Sequence, residues 1–214
     1  MKEHPILFST PMVQAILEGR KTQTRRVIKP QPKVINKHDF EWKDRCYSGM
    51  TEIHGGSFRL QSPYGQPGDL LWVGENWIED PAGKKGLPKG FCADYGGAAP
   101  FGKKKPSIHL KKKYARIWLK IKDVRVERLQ EISQEDAISE GIRHQKHEGD
   151  YYYFYPCNDL RDDSYIDNPI TSFYSLWRLI NGIDGIESWD ADPWVWVVEF
   201  EVVSTTGKPE NPKL

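Results

Sequence analysis

The 214 residues carry 31 lysines and arginines against 30 acids, a formal net charge of +1. Overall charge therefore favours no class of partner, and local clusters must carry that argument. The chain is 38% hydrophobic with eight tryptophans, enough for a real core, and no apolar run approaches the roughly 18 residues of a membrane span. Cys46, Cys92 and Cys157 are odd in number and form no C-x-x-C pair, which argues against a disulfide scaffold or zinc ribbon and fits a reducing, cytoplasmic setting.

In chain order, Ile6, Leu7 and Phe8 read as a first strand. Thr10-Pro11 reads as an N-cap with proline at the first helical position. Val13, Ile16 and Leu17 follow at helical spacing, and Gly19 is the stop. The helix delivers a polar octet, Gly19 to Arg26, holding Arg20, Lys21, Thr22, Thr24, Arg25 and Arg26. Cations suit a helix C-terminus, so a basic helix end with a solvated loop is one reading of the octet. Residues 29–68 read as a long polar insertion, with a hairpin around Gly55-Gly56.

Leu70 to Val73 is a buried strand after the Pro67-Gly68-Asp69 turn, and it delivers Glu75 and Trp77 at its end. Trp72 on the strand is read as core, whereas Trp77 beyond it is open to base stacking. Residues 84–113 hold nine lysines against one acid, Asp94, and their glycines read as a loop. That loop is either solubilising or a flap that attracts phosphate. His109 within it is a loop residue or a pocket residue.

Residues 115–121 alternate as a half-buried strand, with a break expected at Lys122-Asp123 and alternation resuming at Val124. Ser133 caps a short helix ending at Gly141, with Asp136 in the capping-box position. Glu140 in its last turn opposes the helix dipole, so a cation is expected to face it. Residues 143–168 are a tyrosine-rich insertion. His144 and His147 there lack a third ligand, and no metal or other cofactor is expected. Asn168-Pro169 opens a third helix with Phe173, Leu176, Trp177 and Ile180 on one face. Trp194 to Val202 is a long strand, apolar on both faces at its start.

These signals predict an α+β fold, a small barrel flanked by short helices. One domain over residues 1–206 is expected, with insertions at about 29–68, 80–113 and 143–168 and a flexible tail over 207–214.

The G-x-K-x-x-T-x-R pattern formed by Gly19, Lys21, Thr24 and Arg26 resembles the signature of the ASCH domain family, small β-barrel proteins of the PUA-like superfamily. Glu131 to Gly141 resembles that family's short helix, and Trp194 to Glu201 its final barrel strand. The GDLLWVGENW and PSIH segments resemble those of larger, phage-associated members. Some bacterial ASCH proteins are amidohydrolases that remove the acetyl group from 4-acetylcytidine with a Lys-Thr-Glu triad. Carried over, the resemblance implies Lys21, Thr24 and Glu140 as catalytic residues.

A threonine nucleophile needs a base, and a lysine amine serves if its affinity for protons falls. Arg20, Arg25 and Arg26 would push it that way. Arg20, Arg25, Arg26, Glu75, Trp77 and His109 are the substrate-binding candidates, and a modified nucleoside or RNA is the expected partner. Two other readings stand beside the hydrolase. One is a non-catalytic nucleic-acid-binding module that uses the Lys84–Lys113 span. The other is a ribonuclease working through Lys21, Arg26 and His109. The oligomeric state is not specified.

Overall fold

The computed structural model describes residues 1–34, 39–42, 45–48, 62–83, 85–147, 150–154 and 168–210. The chain opens with β1 (Glu3–Leu7), α1 (Thr10–Leu17), β2 (Gln23–Val27), β3 (Lys33–Val34), β4 (Asp39–Trp42) and β5 (Arg45–Ser48). β6 (Leu70–Gly74), β7 (Trp77–Glu79), β8 (Pro88–Phe91), β9 (Lys103–Lys105) and β10 (Trp118–Arg128) follow. The last part holds α2 (Gln134–Ser139), β11 (Arg143–His147), β12 (Asp150–Phe154), α3 (Pro169–Asn181) and β13 (Trp194–Ser204). The fold is mixed α+β, mostly strand with few helices, and among the described residues no sheet closes into a barrel.

The chain divides into two compact units, each built from separated segments. The first comprises Met1–Thr22, Pro63–Lys122 and Glu199–Leu214. Here β1 lies parallel to β6, from Glu3 opposite Leu70 to Leu7 opposite Gly74. β6 runs antiparallel to the start of β10, with Trp118 opposite Trp72. Leu70, Leu71 and Val73 are buried, as a near-continuous apolar run requires of a strand covered on both faces. Trp72 is only half-buried.

α1 departs from its sequence reading at its N-cap and at Leu17. The N-cap is Ser9, with Thr10 already helical. Val13, Ala15 and Ile16 are buried while Leu17 is exposed. Gly19 does end the helix, at a φ of 74° that favours glycine. The lysine-rich span is not all loop. β8 and β9 both pair antiparallel with β7, with Trp77 opposite Phe91 on one side and Lys105 on the other. A side chain at Gly102 would run into the Glu79 backbone carbonyl, so glycine is what lets the chain enter β9 against β7. Gly207 N–H donates to the Arg116 carbonyl and Lys208 pairs with Glu3, at 2.9 Å each.

The second unit comprises Gln23–Ser62 and Asp123–Val198. Its strand order is β10-β13-β2, and Ile28 N–H donates to the Trp194 carbonyl at 3.0 Å. Leu129, Ile132, Ala137, Ile142, Phe173, Trp177, Val195 and Val197 form one core beneath α2 and α3. The third helix keeps its expected Asn168 cap, which accepts from Ile170 N–H, and it ends at Gly182. Ile180 is exposed, however, because the buried stripe rests on Phe173 and Trp177 and does not reach the last turn.

Two further sequence expectations need correction. β10 runs without interruption through Lys122 and Asp123, which are exposed on a continuous strand. The insertion after residue 29 contains a three-stranded sheet, β3-β4-β5. Its anchor is Trp42, whose indole N–H donates to the Pro30 carbonyl at 2.7 Å and whose ring meets Trp196 edge-on at 6.4 Å. The Gly55-Gly56 hairpin expectation lies outside the described residues. In the tyrosine-rich insertion, β11 pairs antiparallel with β12, Arg143 opposite Phe154 and His147 opposite Asp150.

Candidate functional site

In the second unit, β2 begins with three consecutive buried polar residues, Gln23, Thr24 and Arg25. The Arg25 side chain is wholly buried. Its Nη2 donates to Asp136 Oδ2 at 2.7 Å and to Glu127 Oε2 at 2.9 Å, and its Nη1 to Glu140 Oε1 at 3.4 Å. One guanidinium thereby ties β2 to β10 and to both ends of α2. Arg125 reinforces the cluster, donating to Glu127 and, at 3.0 Å, to Asp136. Gln23 adds a bond from its amide to the Asp136 backbone carbonyl at 2.9 Å.

Burial raises the Asp136 carboxyl, but the Arg25 hydrogen bond and the charges of Arg25 and Arg125 outweigh it, so its pKa ends below the ordinary value of 3.8. Ser133 Oγ accepts from Asp136 N–H at 3.1 Å, the expected cap. Glu140 is the C-cap of α2 and is buried. The cation expected to face it is Arg25.

In the first unit, the residues after Gly19 turn back on α1: the amides of Arg20 and Lys21 both donate to the Ala15 carbonyl. Lys21 is buried, with its ammonium 5.7 Å from the Phe8 ring centroid, and Phe8 packs on Phe200 at 6.1 Å. Glu75 is buried at the end of β6. Arg116 clamps it with two parallel bonds, Nε to Oε1 at 2.9 Å and Nη2 to Oε2 at 3.0 Å. Arg116 also bonds Asp94 and lies over the Phe91 ring at 4.3 Å. Burial is the largest influence on Glu75 and raises its pKa above the ordinary 4.5 despite Arg116.

The remaining sequence candidates are placed as follows. Arg20 pairs locally with Glu18 at 2.7 Å. Trp77 is a core residue of the β8-β7-β9 sheet, its indole N–H buried without a hydrogen-bond partner among the described residues. His109 is exposed in a single 3-10 turn, Ser107–His109. Arg26 is half-buried on β2. The structure thus joins Arg25 to Glu140 in one unit and places Glu75 with Arg116 in the other.

Sequence reasoning missed Arg116, Arg125 and Glu127, and read Asp136 only as part of a helix cap. A signal for Asp136 and Glu140 was present: they lie four apart on one helix face, in a helix with no basic residue to answer them. No protein-family model, curated protein or solved structure matches the chain.

Proposed function

We propose that the chain is an ASCH-type amidohydrolase that removes the acyl group from the exocyclic amine of a 4-acetylcytidine-like nucleoside, on a PUA-like barrel flanked by helices. The observation that supports this reading is burial. Lys21, Thr24 and Glu140 are 1%, 2% and 4% exposed, although an amine and a carboxylate each cost several kcal/mol to take out of water. Polar groups held at that cost concentrate where chemistry uses them. Chain continuity alone keeps Lys21 within about 10 Å of Thr24, three residues on.

In the proposed reaction, the Thr24 hydroxyl attacks the acyl carbon and its proton passes to the Lys21 amine, which must be neutral to accept it. Removal from water favours that neutral form of a lysine. The C–N bond then breaks, the proton goes to the departing 4-amino group, and water hydrolyses the threonyl ester to release the acid. Glu140, held by Arg25 at 3.4 Å, orients the leaving base through its amino edge. Arg25 positions Glu140 and does not touch substrate.

The test is hydrolysis of 4-acetylcytidine followed by absorbance. Wild type should release cytidine, and Lys21→Ala and Thr24→Ala should each lower the rate at least about a thousandfold. Thr24→Ser, which keeps the hydroxyl, should retain part of it. Absence of turnover by the folded wild type refutes the reading.

A further inference from the structure

The end of α3 carries apolar surface that its own unit does not cover. Leu179, Ile180, Ile183 and Ile186 are 62%, 50%, 57% and 65% exposed, large aliphatics crowded into one short stretch. Ile180 continues the stripe of Phe173 and Trp177 at helical spacing, past the point where the core stops. Beyond it, Gly182 and Gly185 turn the chain at positive φ, 84° and 94°, and the Trp177 indole N–H donates to the Glu187 carbonyl at 2.9 Å. That bond pins the loop holding Ile183 and Ile186 to the helix end that holds Leu179 and Ile180. Single exposed apolar side chains are ordinary, but a cluster of them marks a contact surface.

The charges among these residues bear on what covers them. Arg178 is exposed, its guanidinium held by a 2.8 Å bond to the Tyr174 hydroxyl and lying 5.2 Å from that ring. Asp184, in the loop, is exposed too, and among the described residues neither it nor Arg178 forms an ion pair. Glu187, by contrast, is already paired with Lys29. A partner surface of one sign would set a like charge against either Arg178 or Asp184. A second copy related by a two-fold axis presents the same patch reversed, so that Arg178 of each protomer meets Asp184 of the other.

We propose that this face joins two copies of the chain in a symmetric dimer, with Leu179, Ile180, Ile183 and Ile186 at its centre and reciprocal Arg178–Asp184 pairs at its rim. An apolar centre within a polar rim is how such interfaces are built. These residues are few beside the roughly 20–30 that each side of a standard interface contributes. The dimer is therefore a reversible one, with a Kd on the order of 10 µM. It uses no residue of the proposed hydrolase chemistry and stands or falls without it.

The test is sedimentation equilibrium of the full chain from about 1 to about 100 µM, a span that brackets such a Kd. Wild type should pass from monomer to dimer. Ile183→Asp with Ile186→Asp should stay monomeric throughout, a loss of at least about a hundredfold. Leu87→Asp, at an exposed leucine of the first unit, should dimerise like wild type. Arg178→Asp and Asp184→Arg should each weaken association at least about tenfold, because like charges then face each other across the axis. Mixed in equal amounts, those two variants should associate as wild type does, since each again meets its opposite charge. The proposal is overturned by a wild type that stays monomeric, by an isoleucine double variant that dimerises, or by equal loss in Leu87→Asp. It is overturned equally by single charge reversals without effect, or by a mixture no more associated than its components. The charge reversals and their mixture keep the test decisive if the isoleucine double variant does not fold.

Discussion

Replacing Arg25 by methionine keeps an unbranched stem and removes the guanidinium that Asp136, Glu127 and Glu140 share at 2.7, 2.9 and 3.4 Å. Asp136 and Glu127 retain Arg125, so each forfeits only part of a charge-assisted bond, about 1 kcal/mol. Glu140 is nearly fully buried and loses more, about 2 kcal/mol. Burial of the methionine returns about 1 kcal/mol, leaving a net destabilisation of about 3 kcal/mol, in line with breaking one side of a buried ion pair.

Urea unfolding followed by tryptophan fluorescence should show this as a midpoint lowered by about 1 M at an unchanged slope near 3 kcal/mol/M. Glu140→Gln in the Arg25→Met background should recover about 1–2 kcal/mol, a coupling that contacting residues show and distant ones do not. The pH dependence has a definite sign. Asp136 has a depressed pKa in the folded chain, so its contribution is present above its ordinary 3.8 and is lost as pH falls through the lower folded value. Without Arg25 that depression shrinks, and acid unfolding should begin at higher pH. A loss below about 0.5 kcal/mol, within the range of ordinary surface substitutions, or strict additivity with Glu140→Gln would refute the hub.

Two other perturbations separate structural from chemical roles. Gly102→Ala should abolish the β7–β9 pairing, because the new methyl meets the Glu79 backbone carbonyl. Hydrogen exchange should then lose protection over 103–105, and unchanged protection would contradict the close approach. Arg116→Met should leave the buried Glu75 carboxylate without its clamp and cost about 3 kcal/mol near neutral pH. Because the Glu75 pKa is raised, its protonated form is the better tolerated. The deficit should therefore shrink as pH falls towards the ordinary 4.5 and grow as pH rises above it. A deficit that does not vary with pH would refute that assignment.

Elements with strong periodicity were legible in the sequence. The run Leu70–Val73, the Ser133 and Asn168 caps and the strand opening at Trp194 all appear where the pattern puts them, whereas the alternation read from residue 115 becomes a strand only from Trp118. The elements that escaped are short and held by distant partners. β9 is three lysines, a composition with no strand signature of its own. It is a strand because Lys103–Lys105 meet β7 and because Gly102 admits that approach. β3, β4 and β5 depend likewise on Trp42 reaching Pro30. At the site, the motif pointed to the polar octet without distinguishing three closely spaced arginines. Only tertiary geometry separates Arg20, paired with Glu18 at the surface, from Arg25, sealed among three acids. Trp77 posed the same difficulty: a tryptophan beyond a strand end reads as available, and pairing of β7 on both edges buries it.

The segmented make-up of the first unit bears on how the protein is born. Its Thr22 carbonyl waits for the amide of Phe200, and Glu3 for the Lys208 ammonium. During synthesis, residues 1–22 leave the ribosome long before either partner exists, so this unit is finished only after the second unit's whole sequence has emerged. Closing contacts of such long sequence separation is slow, and Phe8 lacks the Phe200 ring that packs on it in the interval. Loss of the last segment would therefore cost the first unit its final strand, and a fragment that stops at residue 198 should emerge as a client of chaperones instead of a smaller working protein.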